Sequence, residues 1–129
     1  MHNLPEGSEL LLVARQTLLD EIRPMVGEEA RYTIAMIANA MAIAAREAEA
    51  GEGPAAAALA ELDSIYGVEP REVHGDALRR TLAAQDRRLA DHIRSGRFDA
   101  PDERTRAVLA HLRNRVIARL RISNPKSLP

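Results

Sequence analysis

The side chains with the greatest chemical reach in this sequence are arginines, histidines and one mid-helix asparagine. Projected at about 100° per residue, Arg31, Ala35, Ala38, Asn39, Ala42 and Arg46 share one arc of roughly 100°. Ile34, Ile37, Met41 and Ala44 line one flank of that arc, and Met36 and Ile43 the other. A narrow polar stripe spaced by alanines can act in two ways. The small residues can admit another helix, with Asn39 hydrogen-bonded inside the bundle and fixing its register. Alternatively the stripe floors a pocket in which Arg31 or Arg46 pairs an anion. A second constellation lies near the C-terminus. His111 and Arg115 are i, i+4 neighbours and Arg119 continues the row, which could hold a phosphate or form an exposed flank. Arg31, Asn39, Arg46, His111, Arg115 and Arg119 are therefore the candidate ligand-binding residues. His92 falls on the apolar side of its helix, where a lone histidine reads as a satisfied core residue.

Other chemistries find little support. There is no cysteine, which excludes disulfides, thiolate metal sites and a cysteine nucleophile. His2, His74, His92 and His111 include no pair at helical ligand spacing, so no metal is expected. Gly51-Glu52-Gly53-Pro54 matches neither the P-loop nor the dinucleotide pattern, and no serine sits in a nucleophile elbow. No catalytic residue and no cofactor is expected. The longest apolar stretch, Ile34 to Ala45, is interrupted by Asn39 and falls short of the roughly 20 residues that span a bilayer. The N-terminus lacks the basic start and cleavage site of a signal peptide. Arginine outnumbers lysine 17 to 1, which reads first as the habit of a GC-rich genome. A bacterial cytoplasm is the expected setting.

Charge is segregated. Residues 1–76 carry 14 acids and 5 bases, whereas residues 104–129 carry 7 bases and no acid. The last helix can pack against acidic helices of its own bundle, with bases near its C-terminus complementing the helix dipole. It can instead present a surface for an anion or an acidic protein. Nucleic acid is disfavoured, because the net charge is −1 and only Tyr32, Tyr66 and Phe98 could stack on bases.

The elements that must position these residues are helices. Alanine, leucine and arginine dominate, and strand-favouring aromatics make up only 2%. Five helices are expected in one all-α domain over residues 1–129. The first runs from about Ser8, as N-cap, to Ile22, with Pro24 ending it. The second, about 28 to 50, is the most apolar and is placed at the centre, with Gly51 as its cap. The third, 54 to 66, is poor in large side chains and is expected to lie across or cover the bundle. After an irregular connection at 67–75, the fourth runs from about 76 to 95 with a stripe of Leu78, Leu82, Leu89 and Ile93. The fifth follows Asp99, as N-cap, to about Ile122, with Leu109, Leu112, Val116 and Leu120 as its core face. With short links the helices should pack as a bundle.

Three stretches carry a resemblance: RYTIAMIANAMAIAAREAEAGEGPAAAALAELDSIYG at 31–67, LADHIRSGRFD at 89–99, and HLRNRVIARLRISNPK at 111–126. Asn39, the Arg46-Glu47 pair, the Ile93-Arg94-x-Gly96 turn and the closing Asn124-Pro125 are its marks. Together they resemble a small, all-helical bacterial family of unknown function whose members occur near acyl-CoA dehydrogenases and aminoglycoside-phosphotransferase-like kinases. The resemblance implies an association with acyl-CoA or carboxylic-acid metabolism and carries over no catalytic residue. The leading expectation is a non-catalytic accessory or protein-interaction module, with a neighbouring metabolic enzyme or a second copy as partner. The alternative is a binder of a small anionic ligand (acyl-CoA, nucleotide or phosphate) through arginines of the second and fifth helices.

Overall fold

A computed structural model describes residues 6–129, so His2 lies outside the described residues. Over them the protein is all-α, with five helices and no strand. These are α1 (Gly7–Thr17), α2 (Glu28–Ala50), α3 (Gly53–Ile65), α4 (Gly75–Arg94) and α5 (Glu103–Ser123). No helix among the described residues is long and apolar enough to cross a membrane. The chain divides into two compact units, Met1–Gly51 and Glu52–Pro129.

The first unit is a helical hairpin. Glu6 rather than Ser8 precedes the first turn of α1, and Ser8 is buried. Pro24 does not stop the segment abruptly. A π turn at Leu18–Ile22 and a 3-10 turn at Arg23–Met25 carry it on, and Pro24 sits in the 3-10 turn's opening positions, where its missing N–H costs no bond. α2 spans the expected residues, and Gly51 leaves it at a φ of 57°, which favours glycine. Its buried line against α1 is Ile34, Ala38 and Ala45. Ala38 is small enough that the Arg15 Nε of α1 reaches its carbonyl at 3.1 Å.

The second unit holds a hydrophobic core of Leu62, Ile65, Leu89, Phe98 and Val108, flanked by Tyr66 and Leu82. α3 is no mere cover: Ala58, Leu59, Leu62 and Ile65 are buried, and the helix packs against both α4 and α5. Its few large residues recur at i, i+3 and i+6, so all of them face inward. The connection after α3 is pinned. Arg71 donates to both carboxylate oxygens of buried Asp63, at 3.1 and 2.9 Å, and the Gly75 N–H donates to Glu52. In α4, Leu78 and Leu89 are buried as expected, whereas Ile93 at the end of the stripe is exposed.

α5 departs most from expectation. Its N-cap is Asp102, whose carboxylate accepts from the Thr105 N–H at 2.8 Å, and Asp99 instead closes the turn begun by Gly96. Three of the four residues of the predicted core face are turned outward, and Leu120 is half-buried. Leu109 is 61% exposed, Val116 58% and Leu112 37%, while Val108 and His111 are buried at 3% and 2%.

Candidate interaction surface

The rotation of α5 follows from paired charges. Val108, His111 and Arg115 recur at i, i+3 and i+7 and form its inner row. The Nδ1 of His111 donates to Glu61 of α3 at 2.6 Å, and the second oxygen of Glu61 accepts from Asn114 at 2.8 Å. Arg115 donates two bonds to Asp86 of α4, at 2.6 and 2.9 Å. Those bonds raise its guanidinium above the ordinary arginine value against the opposing effect of burial. A bidentate pair and a charge-assisted histidine bond hold α5 by its polar row.

With that row inside, the apolar stripe is left outside. Leu112, Val116, Leu109 and Leu120 fall within an arc of about 80°, with Arg119 on one edge and Arg113 and Arg106 on the other. Neither Arg113 nor Arg119 reaches a carboxylate among the described residues. One edge of the stripe borders a groove of about 490 Å³ between α4 and α5. Leu89, Ala90 and Ile93 line it from α4, Leu112, Val116 and Leu120 from α5, and the Asp86–Arg115 pair bridges the two helices. His111 also lines it, and its Nε2 is buried without a hydrogen-bond partner among the described residues.

The six predicted site residues fare differently. His111, Arg115 and Arg119 meet at this groove. Arg31, Asn39 and Arg46 belong to the hairpin unit. There Arg31 donates to the Val26 carbonyl at 3.2 Å, Asn39 is exposed, and Arg46 is half-buried. Asn39 fixes no buried network, because it stands one residue and about 100° beyond the inward-facing Ala38. Glu61, Asp86 and Asn114 were missed from sequence. The acidic character of residues 1–76 was a signal for Glu61, but nothing local marked it as the partner of a histidine 50 residues on.

A family model matches residues 24–127, four-fifths of the chain, and therefore covers every residue of the groove. The chain belongs to DUF6285, a domain of unknown function. No curated protein and no solved structure matches it. The surface on this DUF6285 domain must accordingly be read from its own chemistry: apolar side chains in a cationic frame, with His111 Nε2 left unsatisfied among the described residues.

Proposed function

We propose that this DUF6285 domain is a non-catalytic protein-interaction module that docks partners on the α5 stripe and the adjoining groove. One observation carries the reading: α5 buries a histidine and exposes a leucine-rich stripe at helical spacing. Soluble proteins seldom leave such a stripe uncovered unless it meets something. Its guanidinium edges favour an acidic apolar surface, and buried apolar anchors within a charged rim are the usual anatomy of a specific interface. The resemblance described above adds an enzyme of acyl-CoA or carboxylic-acid metabolism, in a bacterial cytoplasm, as the partner to test. The experiment compares capture from native lysate by the wild type and by Val116→Glu. A protein retained by the first and lost by the second, with both variants equally folded, supports the reading; identical captures overturn it.

A second reading is favoured by the unpartnered His111 Nε2. A small anionic ligand with an apolar body could lie in the groove, its head between Nε2 and Arg119. Thermal-shift measurements with fatty acids, acyl-CoAs and nucleotides test it. A rise in Tm that Arg119→Ala removes supports this reading, and no rise with any ligand refutes it.

A further inference from the structure

Resting on the interaction reading, we infer that the partner of the α5 stripe is α1 of a second copy of this chain. Two outward faces of the sequence complement one another. α5 offers Leu109, Leu112 and Val116 between Arg119 on one side and Arg106 and Arg113 on the other. On α1, Leu10 and Val13 are exposed and point away from α2, since they stand across the helix from buried Ser8. The same side of α1 carries Glu6 and Glu9, and exposed Asp20 and Glu21 follow in the next turn of the segment. Over residues 6–51 there are 8 acids and 4 bases, whereas α5 has 1 acid and 6 bases. An apolar stripe edged by carboxylates therefore matches an apolar stripe edged by guanidiniums.

Charge also decides against the simpler symmetric arrangement. Two α5 helices face to face would oppose arginine to arginine across an apolar seam, where like charges are costly. An α1-on-α5 contact joins unlike surfaces, and in a dimer both copies satisfy it when each gives its α1 to the other's α5 about a two-fold axis. Reciprocity makes the contact twice. That suits its size, because one helix-on-helix seam is small beside the roughly 800 Å² per partner of a standard interface.

The test uses the full chain in sedimentation equilibrium over a wide concentration range, with helicity followed by circular dichroism. The wild type should dimerise, more weakly as salt rises. Val116→Glu, placed among acids of the partner, and Val13→Arg, placed among its arginines, should each weaken dimerisation about tenfold or more. Leu109→Glu replaces Val116→Glu if that variant does not fold. Mixing the two variants should restore a dimer, since one contact is then intact and the other sets arginine against glutamate. The inference is overturned if the wild type is monomeric throughout, if Val13→Arg dimerises like the wild type, or if the mixture does not recover. A monomeric wild type whose lysate capture still depends on Val116 would end this inference and leave the interaction reading standing.

Discussion

Adjacent residues of α5 should answer to the same truncation in opposite ways. Val108 is 3% exposed within the second unit's core, and Leu109, one position on, is 61% exposed. Val108→Ala removes the equivalent of two buried methylenes, about 1.6 kcal/mol of transfer free energy at about 0.8 each. The cavity left in a packed core brings the cost to roughly 2–3 kcal/mol. In a chain of this length that lowers Tm by roughly 5–10 °C. Leu109→Ala removes a larger side chain from solvent and improves helix propensity slightly, so its cost should stay under about 0.5 kcal/mol. Urea and thermal unfolding of dilute protein measure both. As concentration rises, Leu109→Ala should lose ground to the wild type while the deficit of Val108→Ala stays constant, because only the former touches an interface. Equal costs at high dilution, or a larger cost at Leu109, would refute the rotation of α5.

Glu61→Ala should leave both nitrogens of buried His111 unsatisfied and cost about 1–3 kcal/mol, read from the urea midpoint. Arg71→Ala strands the buried Asp63 carboxylate; allowing for the exposure of Arg71, the loss should be about 1–3 kcal/mol, and Arg71→Ala/Asp63→Ala should recover part of it. His92 is held below the ordinary histidine value of 6.5 by desolvation first, and then by the cations of Arg97 and Arg88. Its neutral form accepts from Arg97 and bonds Tyr66 at 2.7 Å. The unfolded chain then takes up the proton first, so His92 contributes stability in full above about pH 6.5 that declines as pH falls toward its lowered folded value. His92→Asn should flatten the fall in Tm between about pH 7.5 and 5.5 relative to the wild type.

The helices were legible because their punctuation is local. Gly51, Pro54, Gly67 and Gly96 bracket them, and α2 begins and ends where the sequence places it. The orientation of α5 was not legible. Both Val108-His111-Arg115 and Leu109-Leu112-Val116 satisfy helical periodicity, and hydrophobicity alone selects the second. What reverses the choice lies elsewhere in the chain: Glu61 and Asp86 reach the polar row from two other helices. His111, Arg115 and Arg119, read from sequence as one row, do line the groove together, beside leucines that the sequence assigns to the core. Asn39 misled for a related reason. Its apolar neighbours suggest burial, but the buried residues of α2 are Ile34, Ala38 and Ala45, and Asn39 lies off their line.

Because the chain contains no cysteine, a single introduced thiol reports on one position alone. Maleimide labelling of Val108→Cys, Leu109→Cys and Val116→Cys, each as dilute folded protein, tests the outward stripe most directly. Leu109→Cys and Val116→Cys should label at the rate of a free thiol and Val108→Cys should be strongly protected, with the two exposed positions becoming protected only as concentration rises. Protection of Leu109→Cys and Val116→Cys at every dilution, with Val108→Cys reactive, would contradict it.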